Sequence, residues 1–580
     1  MKFRTLWAAC LALALTSCAA AGQTVDSSES PTVATASVEP FVIAANPLAA
    51  KAGMDVLQRG GNAADAALAV QAMLSLVEPQ SSGMGGGAFL NYFDAATGKI
   101  TIYDGREKAP AQASRTMFLD SAGQPLAFRD AVVSGRATGV PGAVAALAQL
   151  HEDHGALPWN GLFDAAIETA KSGFIISPRL GRFLQRPFPQ LSQPDADAYF
   201  SREDGTRMQA GDRLTNPAYA AFLRRLADQG TDALYRGSTA AQIVQRTRAA
   251  PLGGTMTMED LASYRPVKRE PVCRPYREWQ VCAPPPPSSG AAFLELLGLL
   301  ERTDIAERGP GDPQAWYLFA EASRLMYADR DAYFGDGDFV HVPVEGLLDP
   351  AYIDRRAALI GPHGAGKVTA GKPEGADRLI ADKTREPAGT SHFIVRDAHG
   401  NVLSITTTVE SIFGSGRMVD GFFLNNQLTD FSFNPYQEDG QLASNAVAPG
   451  KRPRSSMMPL ILLDRNGEFA GAIGSAGGSS IPAYVGKSLI ASLDWGMSMQ
   501  DALALPNLVA RGDVARGEVD KFDASILAGL AQRGILLRPG QGEDSGVHGV
   551  LIRDGSIDGG FDPRREGVVL VSQPPALPFP

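Results

Sequence analysis

In "REPAGTSHFIV", residues 385–395, a glycine stands directly before a threonine, and the threonine opens a run with the texture of a β-strand. A threonine hydroxyl is a poor nucleophile at neutral pH and needs a base beside it. The α-amino group of the same residue, with a pKa of roughly 7.7–8.0, is such a base, but it is free only once the Gly389–Thr390 bond is cut. Glycine in front leaves the preceding carbonyl open to the hydroxyl, because no Cβ blocks the approach. The junction has the make-up of a bond cut by its own threonine. The competing reading is a loop that ends where a strand begins.

The strand places further chemistry nearby. "SHFIVRD" and "NVLSITTTVES" flank Ala398-His399-Gly400 and read as a hairpin. With the turn centred on His399, Thr390 falls opposite Thr408, and Glu410 lies just past the strand end on the same face. Two hydroxyls and a carboxylate then share one edge, where a solvated polar strand end is the plainer alternative.

These residues need a scaffold. From about residue 40 to 380 the pattern is mostly helical: "NPLAAKAGMDVLQRGGNAADAALAVQAMLSLV" repeats apolar residues at three-to-four spacing, broken at Gly60-Gly61. Asp312-Pro313 opens a second amphipathic helix, "DPQAWYLFAEASRLMYADRDAYF". From 390 onward short strands dominate ("SHFIVRD", "NVLSITTTVES", "MMPLILLD", "FAGAIGS"), and the run from "ALALPNLVARGDV" to "FDASILAGLAQRG" returns to helix. Helices flanking stacked sheets is the layered arrangement these elements suggest.

With 580 residues, 44% of them apolar, the chain can bury a sizeable core. A net charge of −10 disfavours nucleic acid as a partner. "MKFRTLWAACLALALTSC" has a basic start and an apolar run too short to span a bilayer, as in an export signal. Leu15-Thr16-Ser17-Cys18 resembles a lipobox, with Cys18 lipidated; ordinary cleavage near Ala20 is the alternative. The small, polar segment after it suits a flexible tether. Cys273 and Cys282, in "VCRPYREWQVC", sit on two β-like arms around a turn, and in an oxidising compartment a local disulfide is the natural pairing. "GPHGAGKV", residues 361–368, falls short of a phosphate-binding loop because Val368 stands where Ser or Thr must hold Mg²⁺. "SSGMGGGAF", residues 81–89, lacks a βαβ setting, so close packing explains its glycines better than a dinucleotide does.

Taken in order, "GGNAADAALA", "GMGGGAF", "DGREKAP", "TGVPGAV", "PPPPSSG", "YADRDAYFGDGDFVHVPVEGLLD", "GTSHF", "FFLNNQLTDFS", "KRPRSSMMP", "GSAGGSSIP" and "DPRREG" resemble the γ-glutamyltranspeptidase family of N-terminal-nucleophile hydrolases, from about Ala44 to Leu570. The resemblance implies an α+β, four-layer αββα sandwich: one domain made of two autoprocessed subunits. Residues 1–17 would be signal, 18–39 tether, 40–389 the large subunit and 390–580 the small catalytic subunit. By the same resemblance Thr390 is the autoprocessing residue and nucleophile, and Thr408 orients it. Arg106, Ser455 and Ser456 bind the substrate α-carboxylate, where a guanidinium's paired N–H groups fix geometry as well as charge. Asp430, with Gln427, clamps the α-ammonium, and Gly477 and Gly478 supply the N–H groups of an oxyanion hole. Glu410 stands where some members carry Asn; a second acid there strengthens selection for an α-amino group. Residues 431–454, with Tyr436, correspond to a lid region in some members and form a short version of it.

The implied activity is an exported γ-glutamyltransferase and glutathione hydrolase, periplasmic in either a soluble or a Cys18-anchored form, that needs no metal or organic cofactor. The γ-glutamyl group would pass through an ester on Thr390 to water or to an amino acid or peptide. A glutaryl (cephalosporin-type) acylase is the alternative on the same fold, although its substrate lacks the ammonium that Asp430 and Glu410 would meet. An uncut, non-catalytic binding protein is the third reading.

Overall fold

A computed structural model describes residues 39–364, 366–376, 384, 386–387, 389–436, 440–540 and 545–572. The expected signal, Cys18 and all but the last residue of the tether lie outside the described residues.

Strands with two apolar faces dictate the architecture. In Phe41–Ala44, Val42 and Ala44 pack into one hydrophobic core, and Phe41 and Ile43 into another. The same split divides Phe393 and Val395 from Ile394, and Leu403 and Ile405 from Val402. A sheet whose alternate residues are both buried must be covered on both sides. The first core is completed by the helices Pro47–Gln58, Ala63–Val77 and Ala143–His154. The second contains a second sheet, backed by the helices Gly290–Glu301, Pro313–Tyr333 and Ile481–Leu493. The result is four layers: helices, sheet, sheet, helices.

The first sheet runs Val568–Val571, Phe41–Ala44, Gly389–Arg396, Val402–Glu410, Gly87–Asp94, Lys99–Gly105, Val267–Arg269, antiparallel throughout. The second runs Ser556–Phe561, His548–Arg553, Phe469–Gly474, Leu460–Leu463, Trp279–Ala283, Val272–Tyr276, also antiparallel. Close approach of the sheets rests on Gly474, whose added Cβ would fall 2.3 Å from the His392 ring.

The helical reading of residues 40–380 needs correction. Phe41–Ala44, Gly87–Asp94 and Lys99–Gly105 complete the first sheet, so the N-terminal half supplies strands on both sides of the Gly389–Glu410 hairpin. The late run is likewise interrupted, by a hairpin of Leu508–Arg511 and Val514–Gly517. Other expectations hold. Asn62 caps the second helix after the Gly60-Gly61 break, and Asp312 with Pro313 opens Pro313–Tyr333. Cys273 and Cys282 face each other on adjacent strands, with Cα atoms 4.1 Å apart, and are disulfide-bonded.

Candidate active site

Hairpin register places Thr390 opposite Thr408, as the turn predicts. The register then shifts, so that Glu410, at φ +82°, pairs with Gly389. The Thr408 hydroxyl donates to the Gly389 carbonyl oxygen at 2.6 Å and accepts the Glu410 N–H at 2.8 Å. Its one proton is thereby committed, so the Thr390 hydroxyl, 3.1 Å away, donates to it. Thr408 thus polarises the carbonyl that precedes Thr390 while fixing the Thr390 side chain.

Glycines let backbone crowd around this point. A Cβ on Gly389 would fall 2.3 Å from the Glu410 carbonyl oxygen, and one on Gly86 1.9 Å from that of Thr408. The "GMGGG" run is therefore a close-packing element, as its sequence setting suggests. Along the same strand face, the buried His392 accepts from or donates to Thr406 at 2.9 Å and lies against His548. Burial, then His548, holds His392 well below the usual histidine range, and burial brings His548 down to about 4. Both are neutral packing groups near pH 7.

Charged groups converge beside the hydroxyls. Arg106 donates to Asp430 at 2.6 Å and to the carbonyls of Arg454 and Pro453 at 2.6 and 3.2 Å. Gln427 donates to the same Asp430 oxygen at 2.6 Å. Glu410 accepts from Ser411 at 2.7 Å and from the Asn426 amide. Burial and then Asp430 push Glu410 well above the usual carboxylate range; burial raises Asp430 as well, against Arg106. Gln427 Oε1 has no donor among the described residues, and the buried Glu410 and Asp430 carboxyls share a hydrogen bond through the proton that Glu410 retains.

Ser455 and Ser456 line the same small cavity as Arg106 but do not bond to it. Ser455 Oγ accepts the Met457 N–H at 3.1 Å, while Ser456 donates to Glu386 and accepts from Arg330 at 2.6 Å. Gly477 and Gly478, at φ +130° and +54°, open the turn into Ile481–Leu493; a Cβ on Gly478 would fall 2.2 Å from the Glu386 carbonyl oxygen. Gly478 borders the small cavity and Gly477 the cleft beside it. In the expected lid region, Asn445 donates to the Asp430 carbonyl at 2.7 Å, while Tyr436 is exposed; residues 437–439 are outside the description.

Sequence reasoning missed four groups. Glu386, Arg330 and Arg454 form a buried ion cluster against this site, with Arg330 to Glu386 at 2.7 and 2.8 Å. Glu107, wholly buried behind Arg106, has a carboxyl pushed up to about 8 by burial. Only its adjacency to Arg106 could have drawn notice.

The small cavity measures about 20 Å³ and is lined by Thr390, Thr408, Glu410, Gln427, Asp430, Arg106, both serines and Gly478, among others. A cleft of about 880 Å³ adjoins it through Glu386, Pro387, Ser411 and Gly477. So the structure gathers all the non-cysteine candidates into one locality.

Two antiparallel sheets stacked between helices, with a threonine at the head of a central strand, define the N-terminal-nucleophile hydrolase class. Comparison with known proteins agrees. The Gamma-glutamyltranspeptidase family profile matches residues 49–572. The glutathione hydrolase proenzyme of Bacillus subtilis (strain 168) is 34% identical over 547 residues, 91% of each chain. The acylase ACY 1 proenzyme of Pseudomonas sp. (strain SE83) is 33% identical over 536 residues, 91% of this chain and 92% of that one. The cephalosporin acylase of Bacillus halodurans superposes with a TM-score of 0.81 at 26% identity, over 92% of this chain and 96% of that one. The chain belongs to the γ-glutamyltranspeptidase family, and is an enzyme of that family.

Proposed function

We propose that the chain cuts itself between Gly389 and Thr390, and that Thr390 then moves γ-glutamyl groups from glutathione or related amides to water, an amino acid or a peptide. In the cut, the Thr390 hydroxyl adds to the Gly389 carbonyl, the C–N bond breaks as the nitrogen takes up the hydroxyl's proton, and water hydrolyses the resulting ester, leaving a carboxylate on Gly389 and a free amine and hydroxyl on Thr390. That amine takes the hydroxyl proton when a substrate amide is attacked and passes it to the leaving amine. Gly477 and Gly478 offer backbone N–H groups to the oxyanion. Residues 40–389 and 390–580 remain together because they share both sheets.

One observation carries the choice of substrate: the buried acids Glu410 and Asp430 share a proton, with Gln427 Oε1 lacking a donor beside them, and deprotonated they offer three acceptors and negative charge at one point. An α-ammonium brings three N–H donors and a positive charge, which answers them in number and sign. A glutaryl group brings neither. An acylase relative at 33% identity and an acylase structural neighbour at 26% make that second reading one to test. Intact mass of the protein and its Thr390→Ala variant, then rates on γ-glutamyl and glutaryl anilides, decide both points. Two fragments from the wild type, one from the variant, and preference for the γ-glutamyl anilide are expected; an uncut active wild type, or a glutaryl preference, overturns the reading.

Export and a lipid on Cys18 belong to the same proposal; among the described residues no helix is long and apolar enough to cross a membrane. Labelled palmitate should enter the wild type and not Cys18→Ala, and equal labelling of both would refute the anchor.

A further inference from the structure

Gly477 and Ser411 border the cleft of about 880 Å³ that adjoins the small cavity. On the proposed function the glutamyl head fills the small cavity, so the amine on the far side of the scissile bond lies in this cleft. The chain has 63 Asp and Glu against 53 Lys and Arg, yet the acids that border the cleft are already matched. Asp331 is held by Arg511 at 2.8 and 2.9 Å, Glu518 by Lys521 at 2.8 Å and by Arg564, and Glu386 by Arg330 at 2.7 and 2.8 Å. Arg129 and Arg516 border the cleft too, both exposed and with no acidic partner among the described residues.

The local fold turns Arg516 into the cleft. Leu508–Arg511, Val514–Gly517 and Leu537–Pro539 form a small sheet of three strands. Leu508, Ala510, Ala515 and Leu537 are buried in the second core, which leaves Val509, Arg511, Val514 and Arg516 on the opposite face, all bordering the cleft. Arg516 pairs in register with Arg538 of the neighbouring strand, which is also exposed but outside the cleft lining. Like charges set side by side repel, so an anion at this rim relieves a repulsion already in the fold. Arg129 comes from the other side of the cut, on the helix Phe128–Val132. Phe128, Phe188, Ile412 and Val514, all partly exposed, add apolar surface to the same cleft.

We propose that the cleft selects amines carrying more than one carboxylate on an apolar frame, namely acidic di- and tripeptides, as leaving groups and as acceptors, with Arg129 and Arg516 receiving the carboxylates. This rests on γ-glutamyl transfer by Thr390 and adds the class of amine. In transfer, the peptide's amine nitrogen bonds to the ester carbon and the bond from that carbon to the Thr390 oxygen breaks. The proton lost by the nitrogen passes through the Thr390 amine to the freed hydroxyl. The dipeptide that leaves glutathione has a single carboxylate, so it uses this surface only in part.

The test uses the full chain and three γ-glutamyl donors that differ only in the leaving group. The anilide has no carboxylate there, γ-glutamyl-Ala-Gln has one, and γ-glutamyl-Ala-Glu has two. In the wild type at low salt, kcat/KM should be about two- to fivefold higher for the Glu peptide than for the Gln peptide, the size of one exposed charge contact. Raising salt should bring the ratio toward one. Arg129→Gln/Arg516→Gln should bring it to about one at low salt, and each single variant partway. Because the readout is a ratio within one preparation, loss of folded protein does not alter it. A wild-type ratio of one, or a ratio that survives high salt or the double substitution, overturns the proposal. Anilide turnover with no discrimination between the peptides sinks this proposal alone. No turnover of the anilide sinks the γ-glutamyl reading, and this proposal with it.

Discussion

The cavity at Thr390 and the cleft next to it share the wall formed by Glu386 and Pro387, yet they are built differently. The cavity, about 20 Å³, is walled by buried polar groups whose positions are set by strand register and by glycines that admit no Cβ. The cleft, about 880 Å³, is lined largely from outside the sheets, with Arg129 and Arg516 exposed and Arg186 lying over the Phe183 and Phe188 rings. In the first space an unmatched polar group carries its full desolvation penalty. In the second, water screens each charge and a mismatch costs little. On the proposed function, one end of the substrate would be read strictly and the other loosely.

The largest effect should come from the strict side. Asp430→Asn leaves Arg106 facing a neutral partner and deprives an ammonium of its anion. Breaking a buried ion pair costs about 3–5 kcal/mol, which is a fall of roughly 10²–10⁴ in kcat/KM for a γ-glutamyl anilide. A glutaryl anilide, with no ammonium to lose, should fall by less. Because Glu410 is held above the usual carboxylate range, ammonium binding should also expel its proton, so KM should rise as pH falls. Equal losses on both anilides would mean that Asp430 only props up Arg106.

The two spaces also differ in how far the sequence revealed them. The Thr390–Thr408 pairing was legible because a hairpin's turn fixes its register, and His399 marked the turn. The shift that sets Glu410 against Gly389 was not, since it depends on Ser411 bonding to Asn426, which arrives from a different loop. Glu386 and Arg330 lie 56 residues apart, one in a loop and one within Pro313–Tyr333, where a buried arginine looks like any other polar position of an amphipathic helix. Gly87–Asp94 and Lys99–Gly105 vanished into a stretch of helical texture, because strands buried on both faces lose the period-two alternation that marks them. Chain-local chemistry could be read; chemistry assembled by tertiary contact could not.

A smaller effect tests what the strict side costs in stability. Glu107 sits behind Arg106 with neither carboxyl oxygen hydrogen-bonded among the described residues and an ion pair to Arg106 at 3.8 Å, and burial pushes its carboxyl up to about 8 from an ordinary 4.5. Between those values the folded state keeps a proton that the unfolded chain releases, so stability falls as pH rises through that window. Glu107→Gln cannot titrate. Its stability relative to wild type, read by melting, should therefore climb from pH 4.5 to 8 and level off above, by an amount on the order of 5 kcal/mol. A difference that stays flat across this range would show Glu107 ionised in the fold.

The smallest effect belongs to the loose side, and its smallness is what matters. Arg516 is exposed, borders the cleft, and sits on the hairpin strand Val514–Gly517, remote in sequence from every group that touches Thr390. An exposed charge contributes about 0.2–1 kcal/mol to a contact, so Arg516→Ala should change kcat/KM for glutathione by no more than about fivefold. The change should shrink further as salt is raised, because an exposed pair is screened within about 10 Å at 0.1 M. Asp430→Asn should show no such salt dependence, since its partner is buried with it. Comparing the two variants at low and high salt separates the spaces by their physics as well as by size. If Arg516→Ala matched Asp430→Asn in magnitude and ignored salt, the cleft would be reading its end of the substrate as strictly as the cavity does.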